Sequence, residues 1–200
     1  MHDHYFAAEP AAADARREVT VRLAGRPVTV ETASSVFSAD RLDPGTAILL
    51  EHAAPPPPQG TFVDLGSGWG PIALTLAMRS PAARVLAVEV NARARDLTAR
   101  NASRLGLAVE VREPESALTA IPEGGVDLLW SNPPIRIGKE ALHGLLATWL
   151  ARLAPDGRAE LVVAKNLGSD SLQRWIREEL GFVCERVASS RGYRILAVTR

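Results

Sequence analysis

The chain has 200 residues, of which 46% are hydrophobic, so it can form one domain of ordinary size with a sizeable core. Its 23 basic and 23 acidic residues balance, which removes the basic excess typical of nucleic-acid-binding proteins but still allows a local patch. No apolar run approaches the roughly 18 residues of a membrane span, and the first residues carry no secretory signal. We therefore expect a cytoplasmic protein with no membrane contact.

Cysteine and histidine usage bears on disulfides and metals. Cys184 has no partner in the chain and follows Phe182-Val183, which predicts a buried strand position and not a reactive thiol. The histidines at positions 2, 4, 52 and 143 show no metal-ligand spacing with cysteines or carboxylates. We therefore expect no metal site.

The first 58 residues predict a small extension. Its expected elements are a frayed entry segment at residues 1–18, a β-hairpin at 18–32, a polar loop at 35–45 and a helix at 46–54. The hairpin turn is expected at Gly25-Arg26-Pro27, and four prolines at 55–58 end the helix. We predict that residues 1–58 pack on a core formed by residues 59–200.

Strand and helix patterns alternate from residue 60 onward. The predicted strands span residues 61–65, 84–90, 108–112, 126–131, 159–164, 182–187 and 193–199. The predicted helices span residues 72–79, 92–105, 140–153 and 171–180, with a turn at Pro155-Asp156-Gly157. This alternation is typical of βαβ units. The predicted fold class is α/β: a Rossmann-like, doubly wound, mostly parallel seven-stranded sheet with a terminal antiparallel strand, plus the N-terminal β-hairpin extension.

The first of these core strands runs into a glycine-rich turn in the segment Asp64-Leu65-Gly66-Ser67-Gly68-Trp69-Gly70. Doubly wound folds bind ligands at this edge, and glycines let the backbone approach a ligand closely, although turn geometry alone is an alternative. The GxGxG spacing differs from the GxGxxG pyrophosphate pattern of dinucleotide folds. Glu89 ends the second strand, where a carboxylate can accept both ribose hydroxyls of a nucleoside; a solvated strand-end charge is the alternative.

A second motif, Ser131-Asn132-Pro133-Pro134-Ile135, follows the fourth core strand. Each proline fixes its own φ and Pro133 holds Asn132 extended, which predicts a rigid polar loop at the cleft; a structural Pro-Pro turn is the alternative. A conjugated amino group is a weak nucleophile, but two acceptors for its hydrogens can redirect its lone pair toward an electrophilic methyl group. The Asn132 side-chain oxygen and the Pro133 carbonyl would be those acceptors, with the reacting atoms about 3 to 3.5 Å apart.

Together, the two motifs resemble those of class I S-adenosylmethionine-dependent methyltransferases: VDLGSGWG with AVEV is similar to the family's cofactor site, and Asn132 to Ile135 to its NPPY-type motif. The resemblance implies that Gly66 and Gly68 pack against the cofactor's amino-acid part, that Asp64 lies near its ammonium group and that Glu89 holds the ribose. The full set it assigns to S-adenosylmethionine is Asp64, Gly66, Ser67, Gly68, Gly70, Glu89, Asn91, Phe37 and Asn132.

Nearly the whole chain is similar to one branch of this family, the methyltransferase small group, which contains ribosomal RNA (guanine-N2)-methyltransferases. The matching segments are His4-Tyr5-Phe6, Val36-Phe37-Ser38, Leu42-Asp43-Pro44-Gly45-Thr46, Ile135-Arg136-Ile137-Gly138-Lys139-Glu140 and Gly192-Tyr193-Arg194. The resemblance implies that the Phe37 loop covers the cofactor, with a core position under the hairpin as the alternative. Arg136 and Lys139 would face nucleic acid, with a solvated loop as the alternative, and we expect Trp69 and Trp130 to serve packing.

Two points of the family pattern stay open. The family often has an acidic contact to adenine after the third core strand, and Glu113 and Glu115 are both candidates. Larger bacterial members carry an additional N-terminal domain that this chain is too short to hold, so RNA selection would depend on the N-terminal segment, on loops or on a partner.

The catalytic candidates are Asn132, Pro133, Pro134 and Ile135. The family motif acts on adenine N6, cytosine N4, guanine N2 or a glutamine amide; Ile135 replaces its usual aromatic residue, so base stacking must be weaker or come from elsewhere. We expect methyl transfer from S-adenosylmethionine to guanine N2 of ribosomal RNA, with a ribosomal subunit or its RNA as partner. The alternatives are another RNA or DNA base, a protein glutamine amide, or a non-catalytic RNA-binding member of the fold. The oligomeric state stays open.

Overall fold

A computed structural model of the chain describes residues 15–34 and 36–200. The His4-Tyr5-Phe6 match and most of the expected entry segment lie outside the described residues. The strands are β1 (Arg16–Leu23), β2 (Arg26–Ala33), β3 (Thr61–Leu65), β4 (Arg84–Val88), β5 (Glu110–Arg112), β6 (Val126–Ser131), β7 (Leu153–Ala164), β8 (Val183–Ser190) and β9 (Tyr193–Thr199). The helices are α1 (Pro44–His52), α2 (Pro71–Arg79), α3 (Ala92–Arg104), α4 (Pro114–Ala120), α5 (Lys139–Leu150) and α6 (Ser169–Glu178).

In the described part of the chain, the main sheet has seven strands in the order β5-β4-β3-β6-β7-β9-β8. Strands β3 to β7 are mutually parallel, while β9 runs antiparallel to both of its neighbours. The predicted fold class is therefore confirmed. From β3 the chain proceeds outward to β5 and then returns to β6 on the other side, so the strand order reverses between β3 and β6. Ligands of doubly wound folds bind outside the carboxyl ends of the strands at such a point.

The sheet separates two apolar layers. One contains α1, α2 and α3 together with the hairpin, and the other contains α4, α5 and α6. Neighbouring residues on one strand contribute to opposite layers: Phe62 to the first and Val63 to the second, as alternation along a strand requires. Trp69 and Trp130 are fully buried in the first layer, which confirms that both serve packing.

Strands β1 and β2 pair as the expected hairpin, but the expected turn is wrong. The connecting residues are Ala24 and Gly25, with φ of 47° and 81°, which suits a two-residue turn with positive φ at both positions. Arg26 and Pro27 already pair with Leu23 and Arg22. Proline is tolerated there because β2 has a partner strand on one side only.

Asn101 of α3 joins the hairpin to the core. Its Nδ2 donates to the carbonyl oxygens of Glu31 (2.9 Å) and Trp69 (3.1 Å), and its Oδ1 accepts from the Glu31 backbone N–H at 2.7 Å. The described part of the extension therefore contacts the glycine turn through one buried side chain. The boundary between residues 1–58 and 59–200 stays a prediction.

Two parts of the core differ from expectation. Helix α4 was not predicted, because Pro114 interrupts the sequence pattern. In the structure Pro114 occupies the first helical position, where its missing N–H costs nothing. The expected turn at Pro155-Asp156-Gly157 is wrong, because these residues form an irregularity inside β7: Val126 pairs with Leu153 and Leu128 with Arg158. A glycine is required there, since a Cβ on Gly157 would lie 2.5 Å from the Val126 carbonyl oxygen.

Cys184 lies in β8 and is 3% exposed, as predicted. Burial raises the pKa of its thiol to about 11, so it is protonated and unreactive at neutral pH. No helix among the described residues is long and apolar enough to cross a membrane.

Candidate active site

The glycine turn connects β3 to α2 and is held against the end of β4. The backbone N–H groups of Gly66 and Ser67 donate to the Val88 carbonyl oxygen at 2.9 and 3.2 Å. Gly66, Gly68 and Gly70 have φ of 82°, 58° and 98°, in the left-handed region that favours glycine. The turn therefore forms because glycine occupies the three positions with positive φ, which other residues adopt only with strain.

The three glycines serve different purposes. A Cβ on Gly66 or Gly68 would meet no atom within 4 Å, and both residues line a cavity. A Cβ on Gly70 would lie 2.9 Å from Thr98 Cγ2, and Gly70 is the N-cap of α2. Gly66 and Gly68 thus leave open space beside the backbone, whereas Gly70 permits close packing between α2 and α3.

Glu89 follows β4 directly and is 8% exposed, with its carboxylate on the cavity wall. Its Oε2 accepts from the Gly68 N–H and its Oε1 from the Asn91 N–H, both at 2.9 Å. Burial raises the pKa of this carboxyl, and hydrogen bonds from the backbone of Asn91, Gly68 and Val90 oppose the rise. Each carboxylate oxygen has a second lone pair, so Glu89 can still accept hydrogen bonds from a ligand.

Two buried polar atoms under the glycine turn, Asp64 Oδ1 and Ser67 Oγ, have no hydrogen-bond partner among the described residues. The other Asp64 oxygen, Oδ2, accepts from the Ala73 N–H at 2.9 Å. Burial raises the pKa of Asp64 to about 8. Buried atoms of this kind call for an explanation, and a polar or cationic ligand is one.

The remaining predicted cofactor residues are placed differently. Phe37 is 43% exposed and lines the cavity, so its alternative as a core residue is wrong. Asn91 is buried and caps α3 by accepting from the Ala94 N–H at 3.0 Å; it contributes to the site by holding Glu89. After β5 the cavity is lined by Pro114, and both flanking candidates, Glu113 and Glu115, are exposed beside it.

Asn132 follows β6 at the same edge of the sheet. Its Nδ2 donates to Asp43 Oδ1 at 2.7 Å and to Thr46 Oγ1 at 3.1 Å. No donor among residues 15–34 and 36–200 contacts its Oδ1, and Asn132 lines the cavity. An acceptor oxygen is therefore available for a ligand.

The Pro-Pro loop is a compact turn. The Ile135 N–H donates to the Pro133 carbonyl oxygen at 2.8 Å, and Pro134 has φ −75° and ψ 72°, the geometry of an inverse γ-turn. One lone pair of the Pro133 carbonyl is thus already engaged, and one is left for a ligand. The loop ends at Gly138, whose φ of 100° and ψ of 155° suit glycine alone.

One cavity of about 470 Å³ joins the two motifs. Gly66, Gly68 and Glu89 line one part, and the segment from Asn132 to Arg136 lines another. Ile135 contributes an aliphatic side chain to the cavity wall. A volume of this size is in the range of small-molecule and cofactor sites.

Exposed cations lie on the cavity wall and beside it in the chain. Arg136 lines the cavity, and so does Arg41, which lies outside both sequence motifs. Lys139 is exposed at the first position of α5 and is not among the lining residues. Within the described part of the chain, none of the three forms an ion pair. A cation at a helix N-terminus opposes the helix dipole, so Lys139 contributes nothing favourable to α5.

Four further residues at or beside the cavity were missed. Asp43 and Thr46 hold Asn132, while Tyr193 of β9 and Leu167 line the cavity. The signal for Tyr193 was its aromatic ring next to the Gly192 turn, in a segment already matched to the family. Of the residues that the structure describes, no group of three or more histidines, cysteines and acidic residues could hold a metal ion; His2 and His4 lie outside them.

The chain is similar to known proteins both in sequence and in fold. A Bacillus subtilis (strain 168) protein named YbxB is 29% identical over 198 residues, 98% of this chain and 98% of that protein. Ribosomal RNA small subunit methyltransferase C of Pseudomonas entomophila (strain L48) is 35% identical over 206 residues, 99% of this chain and 58% of that protein. The solved T. thermophilus 16S rRNA N2 G1207 methyltransferase (RsmC), in complex with AdoMet and guanosine, has a TM-score of 0.79 at 24% identity, covering 92% of this chain and 50% of that one.

The chain therefore spans about half the length of the named methyltransferases that it resembles. The likeness to the solved structure establishes the fold. The family model described as the methyltransferase small domain matches residues 27–197. On that match, which includes both motifs and the helix that holds Asn132, the chain belongs to the methyltransferase small domain family.

Proposed function

We propose that this protein transfers a methyl group from S-adenosylmethionine to an exocyclic amino group, and that the acceptor is guanine N2 in small-subunit ribosomal RNA. The observation that carries the proposal is the single cavity that contains both the glycine turn with Glu89 and the open Asn132 oxygen. Relatives named as small-subunit ribosomal RNA methyltransferases, and a fold neighbour solved with AdoMet and guanosine, support the choice of substrate.

The residues present fit the cofactor. The open space beside Gly66 and Gly68 admits a ligand against the backbone, and Glu89 keeps lone pairs for ribose hydroxyls. The unpartnered Asp64 oxygen can accept a hydrogen bond from a positively charged amino group, whose charge favours the ionised carboxylate. When bound, S-adenosylmethionine supplies a methyl group attached to a positively charged sulfur. Phe37 and Pro114 would supply apolar contacts in the same part of the cavity.

The chain's own contribution to catalysis is to bind and orient the amino group. Asn132 Oδ1 and the second lone pair of the Pro133 carbonyl would accept its two hydrogens, leaving its lone pair directed along the remaining axis. The γ-turn at Pro134 fixes the Pro133 carbonyl before the substrate arrives, so the gain comes from positioning. The proton that the amino group loses on methylation would pass to solvent.

The proposed base site uses apolar and aromatic side chains in place of the family's usual aromatic at position 135. Ile135 provides one apolar contact, and Tyr193 and Leu167 line the same cavity. Tyr193 offers an aromatic face on which a base can stack. Arg41, Arg136 and Lys139 would contact RNA phosphates, which dominate nucleic-acid affinity.

The test is to supply labelled S-adenosylmethionine with four acceptors. These are unmodified transcribed small-subunit ribosomal RNA, the same RNA assembled into subunits, duplex DNA and a protein release factor. We expect label in RNA, recovered as N2-methylguanosine after digestion to nucleosides. Label in the release factor alone, or in another nucleoside, would overturn the substrate assignment. Cofactor binding in calorimetry with no label in any acceptor would favour a non-catalytic RNA-binding protein.

A further inference from the structure

We infer that Asp43 and Thr46 are positioning residues that fix the orientation of the Asn132 amide, so that its oxygen and not its NH2 group faces the acceptor. The hydrogen bonds themselves are seen in the structure, while their effect on catalysis rests on the proposed function. Neither residue belonged to the two motifs, and both lie in the N-terminal extension.

The donor and acceptor chemistry of the contact dictates the orientation. An asparagine amide has two N–H donors, and here one points to Asp43 Oδ1 (2.7 Å) and the other to Thr46 Oγ1 (3.1 Å). An ionised carboxylate only accepts hydrogen bonds. A flipped amide would therefore bring two acceptor oxygens together beside Asp43, and both N–H groups would lose their partners.

The orientation matters because the two ends of the amide do opposite things. With its oxygen toward the cavity, Asn132 accepts a hydrogen from a substrate amino group. With its NH2 group toward the cavity, it would present donors to a group that itself needs acceptors. The bond to Asp43 is also charge-assisted, and such bonds are about twice as strong as neutral ones. Hydrogen bonds in a chain polarise one another, so this bond strengthens Asn132 Oδ1 as an acceptor.

The two residues that hold the Asn132 amide lie at the start of α1. Asp43 is the N-cap of α1, and the Oδ1 that contacts Asn132 also accepts from the Thr46 N–H at 2.9 Å. Gly45 makes room: a Cβ there would lie 3.0 Å from Asp43 Oδ1 and 2.9 Å from the Tyr193 ring. A helix cap therefore orients a residue 89 positions away in the chain.

Matched variants separate capping from positioning. Asp43→Ser keeps a good N-cap, but the serine side chain is too short to replace the carboxylate at Asn132. Asp43→Asn keeps an oxygen, which both neighbouring donors hold in place. Thr46→Val removes the hydroxyl at nearly constant volume, and Thr46→Ser restores it. With unmodified transcribed small-subunit ribosomal RNA, we expect kcat about 100-fold lower in Asp43→Ser and about tenfold lower in Thr46→Val, because misplaced groups lose rate steeply.

The cofactor dissociation constant, KM and thermal midpoint should stay close to wild type in both variants, with Asp43→Asn and Thr46→Ser restoring most of kcat. A parallel loss of cofactor affinity and thermal stability with kcat would mean that the residues are merely structural, and would overturn the inference. So would unchanged kcat in Asp43→Ser and Thr46→Val.

A readout that needs no substrate covers the case in which RNA is not the acceptor. In nitrogen-labelled protein, the Asn132 side-chain NH2 signals should be protected from exchange and should shift in Asp43→Ser and Thr46→Val. Signals that are unprotected and unmoved would overturn the inference. If wild-type protein methylates no RNA yet these signals respond, the proposed function fails and the amide orientation stands.

Discussion

The Ser131 hydroxyl donates a hydrogen bond to the Leu65 carbonyl oxygen at 2.6 Å, between two buried residues at the carboxyl ends of β6 and β3. Gly66 follows Leu65 and Asn132 follows Ser131, so this bond fixes the distance between the glycine turn and the Pro-Pro loop. The two strands are neighbours in the sheet and lie where its order reverses. The proposed reaction depends on holding these loops in one relative position.

Replacing Ser131 with alanine should reduce both stability and turnover. Losing one buried hydrogen bond lowers the free energy of unfolding by about 1 kcal/mol. Because the glycine turn and the Pro-Pro loop can then move relative to each other, kcat falls as well. Ser80→Ala is the matched control, because its buried hydroxyl donates to the Pro57 carbonyl oxygen at the same 2.6 Å, away from the cavity. Urea unfolding should show similar losses in both variants, with kcat reduced in Ser131→Ala alone. Equal loss of kcat would contradict the role given to Ser131.

Replacing Glu89 with glutamine should weaken cofactor binding about tenfold or more, since hydrogen bonds to charged groups contribute roughly 1.5 to 3 kcal/mol. The new NH2 group would also oppose one of the two backbone N–H donors that the carboxylate accepts. Glu113→Gln and Glu115→Gln are the comparison, and we expect calorimetry to give wild-type affinity for both, because Pro114 is the residue on the cavity wall. A tenfold loss in either would identify that residue as the adenine contact.

Asp64 should couple cofactor binding to proton release. Burial raises its pKa to about 8, so most of the free protein carries the proton at neutral pH. A cation bound nearby lowers that pKa and expels the proton. The binding enthalpy at about pH 7 should therefore depend on the ionisation enthalpy of the buffer, and Asp64→Asn should remove much of this dependence. Buffer-independent enthalpy in wild type would place the cofactor's charge elsewhere.

The same residue predicts how stability varies with pH. The folded pKa of Asp64 lies near 8 and its ordinary value is 3.8, so the folded state holds the proton more tightly. The contribution of Asp64 to stability is fully present below pH 3.8, its ordinary pKa, and is lost as pH rises through about 8, its folded pKa. Urea unfolding should thus show falling stability from mildly acidic to mildly alkaline pH, with a smaller decline in Asp64→Asn. An identical decline in both proteins would mean that other groups govern it.

Arg41, Arg136 and Lys139 should contribute to RNA affinity through phosphates. Replacing each with glutamine should weaken binding of the transcribed RNA and reduce the slope of log affinity against log salt by about 0.7 per lost contact. Arg174→Gln, at an exposed position of α6, is the control and should leave the slope unchanged. A slope reduced equally by the control would indicate nonspecific attraction to the whole surface.

The parts of the fold that could be predicted are those with short-range signals. Strands β3 and β6 have the predicted bounds, because each is an apolar run that ends at a glycine or proline motif. The meeting of the two motifs followed from one rule, that parallel strands present their carboxyl ends at the same edge.

The remaining features of the fold and of the candidate site depend on contacts between distant residues, which no local sequence pattern encodes. The hydrogen bonds from Asn132 to Asp43 and Thr46 exist because α1 packs on β7 and β9, far away in the chain. The place of Tyr193 depends on the antiparallel insertion of β9 between β7 and β8. Gly70 and Asn91 belong to the family's motif, but their neighbours give them capping roles at α2 and α3.

The most direct test of the proposed function compares Asn132→Ala with wild type for cofactor binding and methyl transfer in the same preparation. We expect wild-type cofactor affinity, because the glycine turn and Glu89 are intact. We also expect a loss of methyl transfer into transcribed small-subunit ribosomal RNA of about 100-fold or more, because the amino group loses its acceptor. Undiminished transfer, or collapse of cofactor binding together with transfer, would contradict the role of Asn132 as the acceptor for the amino group.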